Sequence, residues 1–350
     1  MENSYLWMPS SSAPCLYPVS VHLGYLIVNN NKAIALPSAR LLNNGLTESS
    51  LTYLTNISVN TILPLGIDLI WLSLVDKKFY TVSNDFNTNQ LKEIFDKGYY
   101  TKDGEKTTFN SINVGFIPGG RVIIYLIGDE CIKEFTMFQG SQIDLDMNSF
   151  IPNGNYKSLE EYLSPILSKK VSSKNLDKDR WIFNYQQFGV DYSLYDNYRE
   201  KFYYIINFNS VLKGILSLVC NIWFTNFEYL KIHQYSSDKY SFKSRPRSIH
   251  YGINYDSEHY SIDIYFDEDE VIELFSIAFN GCDYITNNNL AELNINVLDA
   301  YSTFDVSLNT KNGKFVFQKL KVNVEQENKE DNTSFTISNF DGERPFFKGE

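Results

Sequence analysis

Short apolar runs, some weakly alternating with polar residues and some unbroken, recur along the chain between turn residues and predict strands joined by tight turns. Residues 17–40 read as a hairpin turning at Asn29-Asn30-Asn31, because Asn tolerates positive φ. Ile67–Val75 (IDLIWLSLV) has almost no polar break and predicts a strand buried on both faces. Asp76-Lys77-Lys78 turns it into Phe79–Val82. The period then lengthens to that of a helix. Asn87 or Thr88 can cap it, Leu91, Ile94 and Phe95 share one face, and Gly98 ends it. Strands follow at Ile112–Ile117 and Arg121–Ile127, joined at Pro118-Gly119-Gly120, and at Cys131–Gln139.

The same order returns after Ser248. Ile249–Tyr255 and Tyr260–Phe266 flank a turn at Asp256-Ser257-Glu258, a helix spans Asp267–Asn280, and strands follow at Leu293–Leu298, Thr303–Leu308 and Phe315–Val324. A shift of 180 residues places Asp76 on Asp256, Tyr80 on Tyr260, Val82 on Ile262 and Phe86 on Phe266. It also places Leu91 on Val271, Glu93 on Glu273, Ile94 on Leu274 and Phe95 on Phe275. The expected fold is therefore α+β: two similar, mainly antiparallel ββαβββ units, each with one packed helix, joined by a helical connector. The boundaries read 1–155 for the first unit, 156–203 for the connector, 204–330 for the second unit and 331–350 for an acidic C-terminal tail. In the connector, Ser158 and Glu161 form a capping box before a helix through Lys170. Two aromatic-rich stretches, Asp177–Phe188 and Tyr195–Tyr203, follow at near-helical spacing, then strands at Ile205–Phe208 and Ile215–Phe227. The tail is expected to end in one strand, Ser334–Ser338.

Composition narrows the function. The chain has 350 residues, 43% apolar and 21% charged, which suffices for a large core without disulfides or metals. Its formal charge of −11 disfavours nucleic acid and anionic lipid as partners. The longest apolar run, Val211–Phe224, contains Lys213 and is too short to span a bilayer. The N-terminus has neither a basic region nor an apolar one, so neither a signal peptide nor lipoprotein processing is expected, and the expected location is cytoplasmic. Cys15, Cys131, Cys220 and Cys282 form no CxxC pair and read as reduced thiols.

No catalytic motif occurs, and no cofactor is expected. The turn Gly115–Arg121, with Phe116 and Arg121, could cradle an anion, but it lies between two strands and fits a hairpin that needs glycine. The acidic run Asp267, Glu268, Asp269, Glu270 and Glu273 lacks calcium-loop spacing and fits a helix start with Asp267 as cap. His250 and His259 flank one hairpin without a nameable third ligand. Arg180, Trp181, Tyr185, Tyr198 and Arg199 have the composition of a binding hot spot and equally of glue between units.

Taken together, SAPCLYPVSVHLGYL (12–26), LPLGIDLIWLSLVDKKFY (63–80), INVGFIPGGRVIIYL (112–126), the RW and NYREKFYY stretch (180–204), FTNFEYL (224–230) and SRPRSIHYGINY with YFDEDEVIELF (244–275) resemble a bacterial family of unknown function. Asp76 stands where that family usually has Glu, and Phe227 where it has Gly; no lipoprotein leader of the family's kind is expected from residues 1–24. The resemblance implies proteins encoded beside type VI secretion effectors, particularly lipase-like ones, and regarded as immunity proteins. The expected function is non-enzymatic neutralisation of a cognate toxin or effector protein by occlusion. The expected contact surface comprises Phe116, Arg121, Arg180, Trp181, Tyr185, Tyr198, Arg199, Asp267, Glu268, Asp269 and Glu270. An effector adaptor or chaperone, and an enzyme using carboxylates and tyrosines such as Asp68, Asp76, Asp256 and Tyr80, are the alternatives. The oligomeric state is not legible in the sequence.

Overall fold

The computed structural model describes residues 5–29, 32–37, 41–48, 62–171, 176–210, 215–233, 239–255, 258–281, 290–298, 303–328, 333–339 and 347. Within them the fold is mixed α+β and mostly strand. The first half runs β1 (Met8–Ser12), β2 (Val19–Asn29), β3 (Lys32–Ala35), β4 (Gly66–Ser73), β5 (Lys78–Asp85) and α1 (Thr88–Lys97). It continues with β6 (Tyr99–Tyr100), β7 (Lys106–Thr107), β8 (Ser111–Ile117), β9 (Arg121–Gly128), β10 (Cys131–Gln139) and β11 (Ser141–Ile143). Helices α2 (Met147–Phe150), α3 (Leu159–Leu167), α4 (Leu176–Phe188) and α5 (Leu194–Arg199) follow. The second half holds β12 (Phe202–Ser210), β13 (Ile215–Phe224), β14 (Tyr229–Ile232), β15 (Ser241–Lys243), β16 (Pro246–Tyr255), β17 (Glu258–Phe266) and α6 (Glu268–Ala278). It closes with β18 (Ala291–Leu298), β19 (Thr303–Thr310), β20 (Gly313–Val316), β21 (Leu320–Asn328) and β22 (Thr333–Asn339).

The chain divides into two compact units. Unit 1 comprises Met1–Gly98, Thr108–Tyr195 and Lys348–Glu350; unit 2 comprises Tyr99–Thr107 and Asp196–Phe347. In unit 1 one sheet has the order β1-β8-β9-β10, with β1 parallel to β8 and the other pairs antiparallel. The other sheet has the order β11-β5-β4-β2-β3, all antiparallel. Every residue of β8 is buried, as are most of β9. That is why their sequences run almost uninterrupted in apolar residues. Helix α1 begins where the Asn87 side chain accepts from the Gln90 N–H and ends at Gly98 with φ +52. It buries Leu91 and Phe95.

In unit 2 one sheet has the order β15-β12-β18-β19-β20, with β12 parallel to β18. A second contains β14-β13-β16-β17-β21-β22, all antiparallel. The short hairpin β6–β7 also belongs to this unit. Helix α6 starts at Asp267, whose carboxylate accepts from the Glu270 N–H, and buries Val271, Phe275 and Ala278.

The expected ββαβββ sheet is drawn differently in the structure. In each unit the hairpin before the helix lies in one sheet and β8–β10 or β18–β20 after it lie in another, while β11 and β21 return to pair with β5 and β17 of the hairpins. The predicted strand Phe315–Val324 is likewise two strands: β20 ends at Val316, and β21 starts at Leu320 in the other sheet. Most residues aligned by the 180-residue shift share burial nonetheless, although Tyr80 is buried where Tyr260 is half-buried. Val82 and Ile262, Phe86 and Phe266, Leu91 and Val271, and Phe95 and Phe275 are all buried, while Glu93 and Glu273 are exposed. Parts of the expected tail are ordered: β22 pairs with β21, and Phe347 is buried beside the Tyr198 ring at 6.0 Å. The turn expected at 256–257 and Cys282 lie outside the described residues.

Candidate functional site

The β8–β9 turn of unit 1 gathers polar groups from several elements. Gly119 and Gly120 take φ +79 and +72, a region that favours glycine. At Gly120 a Cβ would also collide with the Tyr80 ring, so a side chain is excluded on two grounds. The Gly119 N–H donates to Asp76 Oδ2 at 2.8 Å. Asp76 is placed there by the β4–β5 turn, where its own N–H donates to Ser73 Oγ at 3.4 Å and Lys77 takes φ +56. Gln139 Nε2 donates to the Gly119 and Gly140 carbonyls at 2.8 and 3.1 Å. Arg121 lays its guanidinium back along the turn, donating from Nε to Pro118 O at 3.2 Å and from Nη2 to Tyr192 O at 2.6 Å.

Two tyrosine hydroxyls face the Asp76 carboxylate. Tyr80 packs on Trp71 with ring centroids 5.6 Å apart, and burial, reinforced by the Asp76 charge, pushes its hydroxyl far above the ordinary tyrosine range. Tyr192 keeps 50% of its surface exposed while its hydroxyl turns to Asp76; burial and then the same carboxylate push it up to about 12. Both phenols stay protonated at neutral pH, and the buried Asp76 Oδ1 has no hydrogen-bond partner among the described residues. Of the other carboxylates named in the enzyme alternative, Asp68 is exposed on β4 between Tyr25 and Ser83, and Asp256 lies outside the described residues.

The expected contact residues of unit 1 divide sharply. Phe116 is fully buried, 5.4 Å from the Trp71 ring, and Arg121 and Trp181 are buried as well. Arg180 is exposed, and Tyr185 is half-buried with the Lys77 ammonium 5.6 Å from its ring centre. Three aromatics of this stretch that the sequence did not single out are exposed: Phe183 at 42%, Phe188 at 78% and Tyr192 at 50%. A signal existed for them, since α4 carries aromatics at 181, 183, 185 and 188, more than one helix face can bury. The structure thus joins two of the segments chosen from sequence, the 116–121 turn and the 180–192 stretch, through the Arg121–Tyr192 bond.

In unit 2 the expected contact residues are mostly absorbed by the fold. Tyr198 is fully buried, and its carbonyl accepts from Thr225 Oγ1 at 2.9 Å; Arg199 is half-buried. Asp267 is the cap of α6, Glu268 is buried, and the Glu270 carboxylate accepts from the Gln318 and Lys319 N–H groups at 2.8 Å each. Only Asp269 stands fully exposed. His250 and His259 take separate partners, Asp263 Oδ1 at 2.7 Å and Asn254 Oδ1 at 2.8 Å. Among the described residues no group of three His, Cys, Asp or Glu could hold a metal ion, and no helix is long and apolar enough to cross a membrane.

Neither the curated proteins nor the solved structures contain a match to this chain. A family model does match: the one described as protein of unknown function DUF2931 covers residues 2–179, half of the chain, and the chain belongs to that family.

Proposed function

We propose that the protein is a non-enzymatic binding protein that neutralises a cognate antibacterial toxin by covering it. The observation that carries this reading is the aromatic surface of Phe183, Phe188 and Tyr192, braced at Tyr192 by Arg121. Large aromatic side chains dominate interface energetics, and the Arg121 bond fixes the backbone that carries Tyr192. The resemblance to proteins encoded beside type VI secretion effectors supplies the class of partner, and the formal charge of −11 favours a basic one. The test is growth of cells expressing the toxic product of a neighbouring gene. The wild-type protein is expected to restore growth, and Phe188→Ala combined with Tyr192→Ala is expected to lose protection while keeping the wild-type circular dichroism spectrum. Equal protection by the double variant would sink the reading. A bound toxin that keeps its full enzymatic activity would instead make the protein an adaptor.

We also infer that unit 2 is a duplicated copy of unit 1. The recurring order supports it: a first strand running parallel to the strand after the helix, and a hairpin placed in the other sheet.

A further inference from the structure

Unit 2 contains a buried ammonium group with no partner. Lys321 is 7% exposed, and among the described residues its Nζ, sealed from solvent, has no hydrogen-bond partner. The Ser248 hydroxyl is in the same condition, in a residue 1% exposed. An unpaired buried charge costs several kcal/mol, and an unsatisfied buried hydroxyl adds to that.

These two orphans share one rung of the sheet. Ser248 pairs with Tyr265, and Tyr265 pairs with Lys321, so all three side chains leave the same face. Trp223 extends the rung on the other side of Ser248. The register slips between Trp223 and Phe224, leaving Arg247 as the extra residue of a bulge. The slip sends the Arg247 guanidinium over the Trp223 ring, 5.4 Å from its centre, and over the Phe227 ring at 5.2 Å. Two strand spacings, roughly 10 Å, separate the backbones of Ser248 and Lys321. The nearest acid on this face, Asp263, is already bonded to His250 at 2.7 Å.

We propose that this rung is a binding site for a small oxyanion, a carboxylate or a phosphoryl group, received by Lys321 and Ser248 with Arg247 beside them. Trp223 and Tyr265, both half-buried, form its walls. Such an anion supplies the acceptor atoms that the Lys321 ammonium and the Ser248 hydroxyl lack.

The test is thermal unfolding of the full chain at fixed ionic strength, with chloride replaced stepwise by acetate or by inorganic phosphate. The wild type is expected to gain stability saturably with at least one of the two, and whichever acts separates a carboxylate from a phosphoryl ligand. Lys321→Met is expected to lose that response and to match or exceed the wild-type midpoint in chloride, because an unpaired buried charge is gone. Ser248→Ala is expected to weaken the apparent affinity roughly tenfold. Identical wild-type midpoints in all three salts, or an undiminished response in Lys321→Met, would overturn the proposal. A rise that never saturates would mean an adventitious ion only, and would overturn it too. If Lys321→Met does not fold, Ser248→Ala decides, by whether it narrows the phosphorus resonance that wild-type protein broadens.

Discussion

Unit 1 and unit 2 share a strand order, to which unit 2 adds β15 and β22, yet beside their parallel strand pairs they treat buried polar groups in opposite ways. In unit 1, where β1 runs beside β8, the buried polar side chains satisfy one another. Asn113 Nδ2 donates to Ser10 Oγ at 2.9 Å, Ser12 Oγ donates to Asn113 Oδ1 at 2.7 Å, and Ser10 and Ser111 share a hydrogen bond at 2.9 Å. In unit 2, where β12 runs beside β18, the corresponding rung holds Asn207, Asn294 and Ser307. There the Asn207–Asn294 bond is long at 3.4 Å, and Ser307 Oγ is buried without a partner. One topology therefore tolerates a closed polar network or an open one. Buried polar atoms without a partner among the described residues occur in both units, Trp71 Nε1 and Asp76 Oδ1 in unit 1 and Ser307 Oγ and Lys321 Nζ in unit 2.

The largest effect should come from the shared apolar framework. Phe116→Ala in unit 1 and Phe266→Ala in unit 2 each empty a fully buried site and should each cost about 3–5 kcal/mol by denaturant unfolding. A loss confined to one of them would break the parity of the two cores. Next, Gly120→Ala should cost about 1–3 kcal/mol, since it strains a positive φ and drives a methyl group into Tyr80. Asn113→Ala should cost about 1–3 kcal/mol by orphaning Ser10 and Ser12, whereas Asn294→Ala should cost less than about 1 kcal/mol. Equal losses at the two asparagines would erase the contrast. The helix caps should behave alike: Asn87→Ala and Asp267→Ala should each cost about 1 kcal/mol, measured by thermal melting.

The smallest effect is one of alkaline pH. Tyr192 is held up to about 12, so above the ordinary tyrosine range near 10 the unfolded chain releases its proton first. The folded state then binds more protons, and stability falls as pH rises from about 10 towards 12. Asp76→Asn removes the carboxylate that raises both Tyr80 and Tyr192, so ultraviolet titration should show phenolate forming at lower pH. An unchanged titration would separate Tyr192 from Asp76.

Local signals were well written in the sequence. Asn87 and Gly98 bound α1, Asp267 opens α6, Ser158 caps α3, and the two glycines mark the β8–β9 turn. What escaped was the assignment of strands to sheets, because alternation gives a face but not a partner. Phe315 to Val324 reads as one strand, and only the tertiary fold divides it between two sheets. The site was half legible for a related reason. Trp, Tyr and Arg at 180–199 have hot-spot composition, but Trp181 and Tyr198 were claimed by the core, as was Phe116 of the glycine turn. Phe188 and Tyr192, with the same chemistry, were left outside. The burial of Lys321 was invisible, since a lysine at a polar-facing strand position reads as solvated until its rung is known.

The hairpin β6–β7 gives the two units an order in time. It is translated within the first half of the chain but belongs to unit 2, where the Tyr100 carbonyl meets His233 Nε2 at 2.7 Å across 133 residues. At ~5–20 residues per second, roughly 7–27 seconds pass on the ribosome before His233 is made. Apart from Lys348–Glu350, unit 1 need not wait. The residues flanking the excursion are tied together within it, by Gly98 N–H to Ile94 O at 3.0 Å and Thr108 Oγ1 to Phe95 O at 2.7 Å. The nascent chain can thus close the core of unit 1 around a nine-residue loop held out for a domain not yet synthesised.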